Sequence, residues 1–247
     1  MNVKVGCCGF PINRRKYFGA FPLVEVQQTF HQLPQVQTAA RWRAGAPPGF
    51  EFSMKALQLI THAPSSPTYR RLRHPIPAEL KDRYGSFRPT DEVGAAWAAT
   101  AEVARALGAR VIVFQCPGRF TPTDEHAVWL RHFFRKVDRE GFVMAWEPRG
   151  EWPRELVAGL CAELDLVHVV DPLEMDPLSA GVRYFRLHGV TGYRYLHTEE
   201  DLRAIAGKLA PDAPTYVLFN NLFMGEDAKR FQAILAKSGK GLRTESL

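Results

Sequence analysis

Eight short apolar runs, rich in β-branched and aromatic residues, recur from one end of the chain to the other: residues 3–7, 23–27, 50–55, 110–115, 142–147, 166–171, 182–188 and 215–220. Runs of this length and character read as parallel strands buried on both faces. Helix signals fill most of the gaps. The segments 90–107 and 123–137 each open on Thr-Asp-Glu, and the first stops at Gly108, a good pair of caps. Further helices are predicted over 153–164, with Pro153 in the first turn, and over 198–209 and 226–237. Strand and helix alternating about eight times in 247 residues favour an α/β fold, a (β/α)8 TIM barrel, over an open doubly wound sheet. No glycine-rich dinucleotide fingerprint follows the first strand, which weakens the open-sheet alternative. No linker divides the chain, so one domain is expected over residues 1–247.

Two places break the pattern. About fifteen residues rich in Pro, Gly and Arg join the first two strands, so the first helix is expected to be truncated or missing. After strand three, residues 61–89 form a long proline-rich connection. In a compact domain such a loop is either functional or disordered.

Each apolar run turns polar where it ends, and in a barrel of this kind the active site lies at the C-terminal ends of the strands. Those ends supply Glu25 and Gln27, Lys55, Gln115, Glu147 followed by Arg149, Asp171, Arg186 and His188, then Asn220 and Asn221. So many charged groups are hard to retain for packing alone. The expected site therefore has Glu25, Glu147 and His188 as acid/base groups. Gln27, Lys55, Gln115, Arg149, Asp171, Arg186, Asn220, Asn221 and Tyr193 would hold the substrate. A purely structural reading pairs Glu25 with Arg186 or Lys55 inside the barrel. Arg186 and His188 share a strand face. With His62, Glu25, Glu147 and Asp171, His188 could hold a divalent metal, although no closely spaced ligand pair supports one. No cofactor is otherwise indicated. Trp146, Trp152, Tyr193 and Tyr195 are candidates to hold a flat or sugar-like ligand, with barrel packing the plainer role for Trp146.

The formal charge is +6 and the pI about 9.2, which suggests an anionic partner. The stretch 69–88 holds Arg70, Arg71 and Arg73 with interleaved aromatics, a pattern that can track a phosphate backbone but is also an ordinary solvated loop. Cys7, Cys8, Cys116 and Cys161 match no zinc spacing and read as small buried hydrophobes, with a thiol site at the barrel mouth as the alternative. No run of about 18 apolar residues exists, so no membrane span is expected. The start, Met1-Asn2-Val3-Lys4-Val5, passes straight into a strand without a signal-peptide region, and a cytoplasmic location is the default.

Six motifs in order resemble the YecE-like family, catalogued as a domain of unknown function. They are Val24-Glu25-Val26 with Thr29-Phe30 and Leu33-Pro34; Arg41-Trp42 with the run from Pro48 to Lys55 and Thr61-His62; Phe114-Gln115-Cys116-Pro117; Trp146-Glu147-Pro148-Arg149 with Trp152; Tyr184-Phe185-Arg186-Leu187-His188-Gly189; and Phe219-Asn220-Asn221. The resemblance implies a TIM barrel and carries no settled activity. It brings in a nucleic-acid or phosphodiester role only by analogy with endonuclease IV-type barrels. This chain departs from the family pattern at Gln27-Gln28, at Pro148 and at Cys7-Cys8. Three functions compete: an acid/base enzyme, a hydrolase or another of that kind, acting on a phosphate- or carboxylate-bearing small molecule; a nucleic-acid binding or processing protein; and a non-catalytic ligand-binding protein.

Overall fold

Parallel strands without helices on their faces would leave apolar surface in water, and here each strand is followed by a covering segment. The computed structural model describes residues 2–238. Its strands are β1 (Val3–Cys7), β2 (Leu23–Val26), β3 (Glu51–Lys55), β4 (Ala109–Gln115), β5 (Val143–Glu147), β6 (Val167–Val170), β7 (Arg183–Leu187) and β8 (Thr215–Phe219). They follow one another in sequence order as a closed parallel barrel. The helices are α1 (Arg14–Ala20), α2 (Val36–Ala44), α3 (Gln58–Thr61), α4 (Asp91–Leu107), α5 (Asp124–Lys136), α6 (Arg154–Leu164), α7 (Glu199–Gly207) and α8 (Met224–Lys237).

The chain forms two compact units. The first holds β1, β2, the start of β3 and β6 to β8, with α1, α7 and α8. Within it β1 pairs with β8 from Val3↔Thr215 to Cys7↔Phe219, and β7 pairs with β8 from Arg183↔Thr215 to Leu187↔Phe219. Gly6 faces Leu23, whose carbonyl oxygen lies 2.2 Å from where a Cβ would stand, so a side chain there would force β1 and β2 apart. The second unit holds the rest of β3, β4 and β5, with α2 to α6. There Gln115 pairs in register with Glu147, setting two polar strand ends side by side.

The helix ends follow their caps. Thr90 and Thr123 accept hydrogen bonds from the backbone N–H groups of Val93 and His126, and Gly108 closes α4 in the left-handed conformation that glycine adopts at no steric cost. The gap between β1 and β2 does hold a helix, the seven-residue α1, whose first turn is capped by Asn13. Helix α2 has no counterpart in the sequence reading, because only Ala39 of its nine residues is buried and its apolar periodicity is correspondingly faint. Strand β2 stops at Val26. Gln27 already has helical backbone angles and leads into a 3-10 turn at Gln28–Phe30, so it leaves the strand predicted to carry it.

The connection 61–89 is not structureless. It contains 3-10 turns at Pro67–Arg71 and Ala78–Arg83, and its far end is tied back to α3 by Gly85 N–H to the Leu59 carbonyl (2.8 Å) and Phe87 N–H to the Ile60 carbonyl (2.8 Å). Phe87 is buried against Phe114, Phe120, Phe133 and Phe134, with ring centroids 5.3–6.2 Å away. Among the described residues, no helix is long and apolar enough to cross a membrane.

Candidate functional site

In the second unit, β3 ends on a lysine. Lys55 is 6% exposed, donates to Gln115 Oε1 (2.9 Å) and lies 3.9 Å from the centroid of the Phe30 ring. An ammonium on an aromatic face gains from the ring quadrupole, more so out of water. Thr29 Oγ1 donates to the Lys55 carbonyl (2.8 Å), fixing the strand end on the turn that carries Phe30. Beside Gln115, Glu147 is also 6% exposed, and Arg149 donates to its Oε1 from Nε (2.9 Å) and Nη2 (2.8 Å). The Arg149 side chain remains 39% exposed, so this guanidinium reaches solvent while its partner does not.

Two histidines adjoin these cations. The buried ring of His62 packs edge-on against Phe30 (4.8 Å), with Nδ1 2.8 Å from Thr61 Oγ1. Burial first, then Lys55, Arg149 and His31, push its pKa down to about 3, so it stays neutral at physiological pH. His31 is likewise lowered, by burial, Arg71 and Lys55. Its Nε2 lies 3.2 Å from Arg71 Nη1. Arg70, Arg71 and Arg73 are exposed.

In the first unit, charges close on one another. Glu25 is fully buried, accepts from the Tyr184 hydroxyl at Oε2 (2.8 Å) and pairs with Arg186 Nη2 at Oε1 (3.1 Å). Tyr184 stacks on Tyr216 at 5.7 Å, and Tyr216 donates to Glu51 Oε2 (2.8 Å), which also ion-pairs with Lys4. Tyr184 and Arg186 stand two apart on β7 and so share a face. Cys8 borders this group. Burial, with Glu25 next and Arg186 opposing, pushes its thiol well up. Burial also raises Cys7 and Cys161 to about 12, and Cys116 higher still, so all four free, buried cysteines are protonated hydrophobes rather than a thiol site.

Asp171 caps two backbones, accepting from Leu173 N–H (3.1 Å) and His188 N–H (3.0 Å). His188 and Asn220 are half-buried, and Tyr193 is 58% exposed. Asn221 is buried and donates to the Tyr195 carbonyl and to Asp227 Oδ2, both at 2.7 Å. Asp227 also accepts from His197 Nδ1 (2.7 Å) and Arg230 Nη1 (3.1 Å). Burial would raise this carboxyl, but the bonds from His197 and Asn221 overcome it and hold it below its usual range. Nothing in the local sequence marks His197 or Asp227, and the β7 motif names Tyr184 without its role, because each finds its partner only through the fold. His31 carries no signal in the local sequence, yet it stands beside Arg71 and within electrostatic reach of Lys55. Among the described residues, no three His, Cys, Asp or Glu side chains gather as a metal-holding group.

A family model described as a protein of unknown function, DUF72, matches residues 13–246. No curated protein matches. Similar solved structures include a DUF72 family protein of Enterococcus faecalis (20% identity, 95% of this chain and 97% of that one, TM-score 0.71). Another is a DUF72 family protein of Thermotoga maritima (18% identity, 96% and 100%, TM-score 0.68). A third is endonuclease IV from Thermus thermophilus (16% identity, 96% and 100%, TM-score 0.54). At these identities the likeness is one of fold.

Proposed function

The chain belongs to the DUF72 family, whose function is unknown, and from that premise we propose that it is an acid/base enzyme acting on a phosphate- or carboxylate-bearing substrate held by Lys55 and Arg149. The observation that carries this reading is a buried ammonium and a solvent-reaching guanidinium, from the end of β3 and just past β5, around a histidine held neutral. An anion placed there gains two charge-assisted contacts, and Arg149 can offer it a planar fork. The Gln115 amide orients Lys55 and borders the anion's place. Glu147 is the general base. An anion that draws Arg149 toward itself loosens the grip on this carboxylate and frees it to take a proton. His62 is the complementary acid, since a bound anion offsets the positive charge that, after burial, lowers its pKa. Glu25 and Arg186 form a buried ion pair, and we assign them to holding the barrel wall rather than the substrate. Free, buried thiols fit a reducing compartment and support a cytoplasmic location.

Titration with inorganic phosphate and with acetate, followed by calorimetry and by the His62 ring resonances, tests the reading. Saturable binding that moves those resonances, and at least a tenfold loss in Lys55→Met, about 1.4 kcal/mol, is expected. Failure of both anions to bind, or undiminished binding by Lys55→Met, overturns it.

A further inference from the structure

The arginine-rich connection after β3 is not used by the chemistry above, yet it touches that site. Six cations and two carboxylates lie between Tyr69 and Arg88. Some of the cations have structural work: Arg83 pairs with Glu92 (3.0 Å), and Arg88 donates to the Tyr84 carbonyl (2.8 Å) and lies over the Trp129 ring (4.9 Å). Arg70, Arg71 and Arg73 instead stand in solvent. Their backbone is already ordered. Ser66 caps the turn, the Tyr69 hydroxyl donates to the His62 carbonyl (2.7 Å), and Arg73 N–H donates to Gln32 Oε1 (3.2 Å). Arg71 meets His31, and His31 feels Lys55. Within one compact unit the buried ammonium lies on Phe30, Phe30 packs edge-on against His31 (4.9 Å), and His31 meets Arg71, beside which Arg70 and Arg73 stand exposed.

We propose that the substrate is a phosphodiester chain, one phosphate lying at Lys55 and Arg149 and the following ones along Arg70, Arg71 and Arg73. This rests on the anion site proposed above and names its substrate class. A single small anion engages the inner pair and leaves the outer three unused. A turn followed by extended chain from Arg70 to Arg73 covers roughly 6–10 Å, which along the axis of a duplex, at about 3.4 Å of rise per phosphate of one strand, is two to three steps. Anchoring at Tyr69 and Arg73 means that little ordering remains to be done when the strand arrives.

The test uses short fluorescent single- and double-stranded oligonucleotides, with poly-glutamate and inorganic phosphate as competitors, on the whole protein and on Arg70→Ala/Arg71→Ala/Arg73→Ala. Oligonucleotide binding that weakens steeply with salt is expected, with the slope of log K against log salt falling by about 2 in the triple variant (about 0.7 per lost contact on a single strand). Phosphate binding by the triple variant is expected to be unchanged. An oligonucleotide that fails to bind at low salt, an unchanged slope in the triple variant, or poly-glutamate that binds as tightly and depends on the same arginines, each overturns the proposal. If phosphate still binds in any of those cases, the inner anion site stands. If phosphate fails as well, the fault lies with that site.

Discussion

Glu25 and Lys55 are both charged, both buried and both at the ends of barrel strands, yet their surroundings differ in kind. Around Glu25, charges cancel locally: Glu25 with Arg186, Glu51 with Lys4, and two tyrosine hydroxyls to complete the carboxylates. Around Lys55 the ammonium is held by the Gln115 amide, Arg149 pairs with Glu147, and burial, with neighbouring cations next, lowers the pKa of His62 and His31. A buried cluster whose charges balance has no need of a ligand. One in which an amide holds the ammonium and a guanidinium reaches solvent can still receive an anion.

The sharpest way to break this contrast is to remove one charge from each cluster. Glu25→Gln leaves Arg186 buried beside a neutral amide, and about 3–5 kcal/mol of stability is expected to go, measured by urea unfolding. Lys55→Met is expected to leave stability nearly unchanged or to raise it, since it relieves a crowd of cations. If Lys55→Met proves as costly as Glu25→Gln, the division between structural and functional charge fails.

Acid sharpens the same contrast. The folded pKa of His62 is about 3 against an ordinary value of 6.5, so below pH 6.5 the unfolded chain takes up a proton that the folded protein refuses. The contribution of neutral His62 is thus intact above pH 6.5 and is lost progressively as the pH falls toward 3. Lys55→Met removes one cause of the depression. Its loss of stability across that window is expected to be shallower than in the wild type, by unfolding at stepped pH. An identical slope in both proteins would show that Lys55 plays no part in lowering the histidine.

The smallest effect belongs to neither cluster. Arg203 and Glu199 form an exposed i,i+4 pair on α7, each side chain 65% exposed. Arg203→Ala is expected to cost no more than about 0.5 kcal/mol. A larger loss would mean that surface pairs rival the buried ones in this protein.

How far the sequence speaks depends on the range of the interaction. Strands and capped helices were legible because their signals are local: β-branched runs, Thr90 and Thr123 before acidic residues, Gly108 after an apolar stripe. The strand ends named Lys55, Gln115 and Glu147, and the barrel sets Gln115 beside Glu147 and bonds it to Lys55. Local grammar could not show which charge meets which. Glu25 could have faced Arg186 or Lys55, and the geometry gives it Arg186 together with Tyr184, 159 residues away in sequence. Helix α2 escaped notice because it buries too little to leave a periodic trace. Gln27 was misplaced because nothing in Val-Gln-Gln-Thr signals that the chain bends after Val26.

His62 is met from both ends of the same loop. The Tyr69 hydroxyl holds its carbonyl, and Gly85, at φ +78°, passes so close that a Cβ would stand 2.1 Å from that oxygen. Residues 70–84 thus run between two ends that meet at the His62 carbonyl, with further ties from Arg73 to Gln32 and from Arg83 to Glu92. Their charge and length could be rewritten while the two ends still fix the backbone at His62. Placing any side chain at position 85 would be felt first at His62.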